Sequence, residues 1–258
     1  MRIVVKVGTS TLAHATGRLN IRRVEELVKV ISDLKNAGHE MILVSSGAIG
    51  MGVGKLNLPG RPTDIPTKQA AAAVGQCELM YTYDRLFTQY NHTVAQILLT
   101  SEDIDHIDRR QNFENTMSRL LALGALPVIN ENDTIAVAEI KVGDNDTLGA
   151  IVACSLQADL LVLLSDIDGL YTADPRQNPE AELISVVEEV TPDIEALAGD
   201  KGSELAVGGM ATKLRAAKMV TAQGSDMIIT NGEKPELLYE IVEGRNVGTR
   251  FVGKKCQA

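Results

Sequence analysis

Residues 127–146 hold the densest run of side chains able to do chemistry. They read Pro127-Val128-Ile129-Asn130-Glu131-Asn132-Asp133, then Ala136-Val137-Ala138-Glu139-Ile140-Lys141-Val142, then Gly143-Asp144-Asn145-Asp146. A short apolar strand runs into a burst of carboxylates and carboxamides, a β-rich segment with the look of a hairpin follows, and a second burst precedes the next helix. Converging on one point, the two bursts could hold magnesium, cage a cationic substrate group, or be plain solvated loops. Charge and spacing leave all three open.

Two further groups stand out. Lys6 lies inside the β-branched run 3–7, an unusual place for an ammonium group. Gly208-Gly209-Met210-Ala211-Thr212-Lys213 leads a glycine-rich loop into a helix, whose first turn offers free N–H groups and a positive dipole end to a phosphate. Lys213 would project from that turn, although a lysine so placed is ordinarily just solvated. The standard nucleotide motifs are absent: Gly54-Lys55-Leu56 lacks the hydroxyl that ends a Walker loop, and Gly50-Met51-Gly52-Val53-Gly54 is mis-spaced for a dinucleotide fingerprint.

Strands and helices alternate along the chain and would position these groups. Strands are predicted over 3–7, 41–44, 94–99, 126–129, 160–164, 227–230 and 250–252, and helices over 21–34 (capped by Asn20), 67–90, 110–123, 147–157, 210–223 and 235–242. Thr191-Pro192 should open a short helix. The glycines of 45–54 would let backbone approach something closely. This alternation argues for an α/β fold, a mostly parallel sheet covered on both faces. Ligands in such folds gather at the carboxyl ends of strands, where Lys6 to Ser10, Ser45 to Gly50, Asn130 to Asp133 and Ser165 to Gly169 fall. Glycine backbone, hydroxyls, amides, acids and a lysine together suit a phosphorylated ligand beside a polar small molecule. Asp166 and Asp168 read equally well as turn residues.

At 258 residues the chain can bury a large core. A formal net charge of −9 argues against nucleic acid or an anionic membrane as partner, because such binding needs clustered lysines and arginines. Three widely spaced cysteines, Cys77, Cys154 and Cys256, suit a reducing compartment without a disulfide framework. With no signal-like or spanning apolar run, a cytoplasmic protein is expected.

Val4-Val5-Lys6-Val7-Gly8-Thr9-Ser10, Ser46-Gly47-Ala48-Ile49, residues 127–133 and 140–146, Gly169-Leu170-Tyr171-Thr172-Ala173-Asp174-Pro175-Arg176 and residues 208–213 together resemble, in order and over nearly the whole chain, the glutamate 5-kinase branch of the amino acid kinase family. The resemblance implies a three-layer αβα sandwich, a single domain over 1–258, with an amino-acid-binding lobe (1–157) and a nucleotide-binding lobe (158–258). It implies transfer of the ATP γ-phosphoryl group to the side-chain carboxylate of L-glutamate, the first step of proline biosynthesis. Lys6 and Lys213 are similar to the family's pair that neutralises the transferring group, and Asp146 to the acid that orients them. Gly8 and Gly47 would offer N–H groups to phosphoryl oxygens. Ser165, Asp166 and Val207, Gly208, Gly209, Met210, Ala211, Thr212 and Lys213 match its nucleotide contacts. Ser46, Asp133 and Asn145 match its glutamate contacts, with Asn130 and Asp144 as neighbours.

The resemblance also implies Mg²⁺ with ATP, feedback by proline and a homo-oligomer. Ser45 and Gly50 depart mildly from the family's pattern, and the small RNA-binding-type (PUA-type) domain that many members append is not expected here. Within the superfamily, N-acetylglutamate kinase would not need an anionic cage, uridylate kinase would need basic residues for its acceptor, and aspartate kinase usually begins with another lysine-glycine motif. A non-catalytic sensor would have no reason to keep both lysines and Asp146.

Overall fold

The computed structural model describes residues 1–14, 18–136, 145–198 and 209–254. In chain order the described elements are β1 (Arg2–Val7), α1 (Thr9–Leu12), α2 (Ile21–Asn36), β2 (Glu40–Ser45), α3 (Ala48–Lys55), α4 (Ile65–Thr88), β3 (Val94–Leu99), α5 (Ser101–Asp105), α6 (Ile107–Ala122), β4 (Leu126–Glu131), α7 (Asn145–Ser155), β5 (Leu160–Ser165), β6 (Val186–Val187), α8 (Pro192–Ala196), α9 (Met210–Ala222), β7 (Asp226–Asn231), α10 (Leu237–Val242) and β8 (Thr249–Phe251). Local chemistry explains many of the boundaries. Asn20 Oδ1 accepts from the Arg23 N–H and Asp64 Oδ1 from the Thr67 N–H, each satisfying a free donor of a first helical turn. Thr191 Oγ1 does the same for Ile194.

The strands form one eight-stranded sheet in the order β3-β4-β2-β1-β5-β7-β8-β6. Pairing is parallel except between β7 and β8. Side chains alternate across a strand, and the two cores follow that alternation. Ile3, Val5 and Val7 of β1 face a core shared with α2, α4 and α10. Val4 faces a second core with α6, α7 and α9. The sheet is thus covered on both faces, an αβα sandwich. Two residues beyond Val4, Lys6 falls on the α7/α9 face.

From β1 the chain steps to β2, jumps to the edge strand β3, comes back to β4 between them, and after α7 places β5 on the other side of β1. Strand order reverses between β1 and β5, and it is at the carboxyl ends of strands at such a switch point that ligands usually bind in open α/β sheets. The amino-terminal turn of α7 delivers Asn145 and Asp146.

The glycine-rich stretch after β2 does let backbone approach something closely, and at Gly52 the partner is another helix. A Cβ on Gly52 would lie 1.8 Å from Ala71 O, and one on Gly75 would lie 1.7 Å from Ala48 O. Helices α3 and α4 therefore pack backbone to backbone, which locks α4 to the helix that follows β2. The short elements α1, α5 and β6 were not expected from the sequence. No described helix is long and apolar enough to cross a membrane.

Candidate active site

Asp146 stands between two ammonium groups. Lys6 Nζ lies 2.6 Å from Asp146 Oδ1 and Lys213 Nζ 2.9 Å from Oδ2. Asp146 is 0 % exposed, Lys6 7 % and Lys213 4 %. Each member comes from a different element: β1, the first turn of α7 and the first turns of α9. The Thr212 hydroxyl, 2.7 Å from Gly209 O, also lies 3.3 Å from Asp146 Oδ2.

Burial alone would push the Asp146 carboxyl up, but the Lys6 and Lys213 charges and their hydrogen bonds outweigh it and hold the group below the usual carboxylate range. The trio thus sets two ammonium groups around one buried carboxylate at the carboxyl end of the sheet. A Cβ on Gly8 would sit 3.7 Å from Lys6 Nζ, so the missing side chain leaves room for a ligand atom beside the ammonium.

One residue earlier on α7, Asn145 faces the other way. Its Nδ2 donates to Ser46 Oγ at 2.7 Å and to Asn130 Oδ1 at 3.0 Å. Asn130, at the end of β4, also accepts from the Glu131 N–H at 2.9 Å and donates through Nδ2 to Gln76 Oε1 at 2.9 Å. Ser46 follows β2, and Gly47 after it takes φ +104°, a left-handed backbone that other residues adopt only under strain. Asp133 lines a small recess with Gln76, Glu131 and Ala48.

The amino acid kinase family profile matches residues 1–231. This chain belongs to the amino acid kinase family. It is 52 % identical over 258 residues to a glutamate 5-kinase of Clostridium perfringens, covering 98 % of this chain and 96 % of the relative. A glutamate 5-kinase of Clostridium acetobutylicum is 54 % identical over 253 residues, covering 98 % and 95 %. Solved structures share the fold at lower identity. Carbamate kinase from Giardia lamblia bound to AMP-PNP gives a TM-score of 0.69 at 18 % identity, covering 98 % of each chain. The isopentenyl phosphate kinase product complex of T. acidophilum gives 0.67 at 17 %, covering 97 % of this chain and 100 % of the other.

In this amino acid kinase the remaining sequence-chosen residues distribute unevenly. Ser165 ends β5 and its hydroxyl donates to Asp166 Oδ1 at 3.1 Å. Asp166 is exposed, with Arg176 Nη2 3.7 Å from its other oxygen. Asp168 accepts from Asn231 Nδ2 at 2.8 Å and the Tyr171 hydroxyl at 3.0 Å, which is the work of a turn residue. Gly209, Met210 and Ala211 form the cap and first turn of α9. Asp144, Val207 and Gly208 lie outside the described residues, as does the hairpin expected within 136–142 beyond Ala136.

None of the four histidines hydrogen-bonds a member of either group among the described residues; His92, for instance, lies 3.3 Å from Ser32 O. Sequence reasoning passed over Gln76 and placed Thr212 only by resemblance. The signal for Gln76 was an amide on the stripe Ala72, Gln76, Leu79 and Tyr83, whose other members are buried apolar residues of α4. A cavity of about 140 Å³ at the opposite end of the sheet, lined by Met1, Asp159, Asp226, Arg245 and Arg250 among others, includes no member of these groups.

Proposed function

We propose that this chain transfers the γ-phosphoryl group of ATP to the side-chain carboxylate of L-glutamate, giving L-glutamyl 5-phosphate and ADP, the first step of proline biosynthesis. The observation that carries this reading is Asp146 held between two buried lysines, one residue from an amide set fit for a zwitterionic head group. Identity of 52 % over 98 % of the chain to a glutamate 5-kinase supports it.

A side-chain carboxylate is ionised near neutral pH, its ordinary pKa being about 4.3. It therefore needs no general base, in keeping with the absence of histidine from the site. A carboxylate oxygen forms a bond to the γ-phosphorus as the bond to the β–γ bridging oxygen breaks, and ADP leaves with that electron pair. Catalysis reduces to holding the reactants in line and stabilising charge on the equatorial oxygens.

Lys6, from the lobe of residues 1–157, and Lys213, from the lobe of 158–258, meet those oxygens. Gly8 and Gly47 give N–H groups, and Asp146 orients both ammoniums. Ser46, Asn145, Asn130, Asp133 and Asp144 hold the amino acid. Ser165, Asp166, residues 207–212 and Lys213 hold the nucleotide.

Among the described residues no group of three or more His, Cys, Asp or Glu side chains converges, and each Asp146 oxygen faces a lysine. Mg²⁺ would accordingly be held mainly by the ATP phosphates and waters, where it would supply neutralisation of phosphate charge. Proline shares the α-amino acid portion and competes for the amide set. A homo-oligomer and a cytoplasmic setting belong to the same proposal.

ADP release with glutamate, N-acetylglutamate, aspartate or UMP as acceptor tests this directly. Glutamate is expected to exceed N-acetylglutamate and UMP by at least about 10²-fold in kcat/KM, since a site that hydrogen-bonds a polar head group rejects acceptors that leave it unpaired, and to exceed aspartate by about tenfold or more, since a side chain one methylene shorter stops its carboxylate short of the γ-phosphorus. Millimolar proline is expected to raise the apparent KM for glutamate without changing kcat. Comparable rates with N-acetylglutamate would refute the assignment of the acceptor.

A further inference from the structure

We infer that Gln76 is a positioning residue that sets the donor–acceptor polarity of the amino-acid-binding amides, an inference that rests on the glutamate reading above. The starting point is a group whose polarity is beyond choice. The Glu131 backbone N–H can only donate, and it donates to Asn130 Oδ1 at 2.9 Å. That fixes the Asn130 carbonyl oxygen towards Glu131 and turns Nδ2 the opposite way, where Gln76 Oε1 accepts it at 2.9 Å. With the Asn130 oxygen fixed, the group reaching it from Asn145 must be a donor, and Asn145 Nδ2 stands there at 3.0 Å.

An amide nitrogen has two hydrogens. The second goes to Ser46 Oγ at 2.7 Å. Two consequences follow for what the site shows a ligand. Asn145 has only its carbonyl oxygen left, an acceptor for an ammonium group. Ser46 uses a lone pair on Asn145 and keeps its own O–H, a donor for a carboxylate. One acceptor beside one donor matches the α-ammonium and α-carboxylate of an amino acid.

Gln76 holds this arrangement from the far side. It is 8 % exposed on the core-facing stripe of α4, where the close contact of α3 and α4 fixes its backbone. Its Nε2 reaches Gln96 Oε1 at 3.5 Å on β3. Without the Gln76 oxygen, Asn130 Nδ2 loses its acceptor in a buried place, and the cheapest relief is rotation of the Asn130 side chain. Rotation breaks the bond to Asn145 and lets its amide turn, presenting a donor to the substrate's ammonium.

The test is a substitution that keeps length and removes the acceptor. Gln76→Met is expected to raise the KM for glutamate about tenfold, with kcat and the KM for ATP within about twofold, a split that general loosening of the fold does not produce. Gln76→Glu keeps an oxygen for Asn130 and is expected to return the glutamate KM to within about threefold of the parent. In an Asn145→Ala background, Gln76→Met should add little, because the two act through one chain of bonds. An unchanged glutamate KM, equal losses in all parameters, or full additivity with Asn145→Ala would overturn the inference while leaving an active glutamate kinase. A parent chain that turns over no glutamate would overturn the functional reading and this inference together.

Discussion

Replacing Lys213 by alanine is expected to lower kcat by about 10²- to 10³-fold while raising the KM for ATP less than about tenfold. The reasoning starts from burial. Lys213 is 4 % exposed and 2.9 Å from Asp146, so its charge is fixed in place before any substrate arrives. A preorganised charge costs no reorganisation at the moment of reaction, and its value rises in a water-poor site. Asp146 keeps Lys6 at 2.6 Å after the substitution, so the carboxylate is not stranded and the fold should survive. Binding of ATP would still draw on Lys6, the Gly8 region and the start of α9. The loss therefore falls on the transition state. Steady-state kinetics with ATP varied at saturating glutamate checks this, and equal losses in kcat and ATP affinity would reassign Lys213 to ground-state binding.

Asp146→Asn should harm both stability and turnover. It removes the carboxylate that both buried ammonium groups face, and breaking a buried ion pair typically costs about 3–5 kcal/mol. For a chain of this size that corresponds to a fall in Tm of roughly 10 °C. Turnover should drop by about 10²-fold or more, because an unopposed buried lysine tends to lose its proton and with it the charge it offers the phosphoryl group. ATP supplies negative charge at the same place, so it should raise the Tm of the variant more than that of the parent. Thermal melts with and without ATP read this out; lost activity with an unchanged Tm would mean that Asp146 does not hold the lysines as described.

The same carboxylate sets a pH dependence. Its pKa is lower folded than unfolded, so its contribution to stability is fully present above the ordinary value of about 3.9 and is lost as pH falls through the lower folded value. The clamp is therefore intact throughout the neutral range, and an acid limb of activity near pH 5 to 6 would have to arise elsewhere.

Much of the fold was legible because its causes are local. The β-branched run of β1 and the apolar run of β5 announce buried strands, and Asn20 and Thr191 cap their helices as their side-chain chemistry dictates. Elements that depend on distant partners were not legible. The two residues of β6 are defined by pairing with β8, and the α3 glycines point to a close backbone approach without naming its partner, because sequence does not show that Ala71 O lies against Gly52.

The site divides in the same way. Lys6 was conspicuous as a charge in an apolar strand, but Lys213 looked solvated by default; only the tertiary approach of α7 and α9 brings it to Asp146. Asn145 and Asp146 stood in one acidic burst. The first turn of α7 separates them, sending one side chain to the lysines and the other to Ser46 and Asn130. Gln76 escaped notice because its role exists only across four elements.

Trapping the product with hydroxylamine tests the central claim most directly. Incubated with L-glutamate and MgATP, the protein should form the γ-glutamyl hydroxamate, one equivalent for each ADP released, and with Lys213→Ala the yield should fall with kcat. ADP released without hydroxamate, or hydroxamate formed equally well from N-acetylglutamate, would contradict the account.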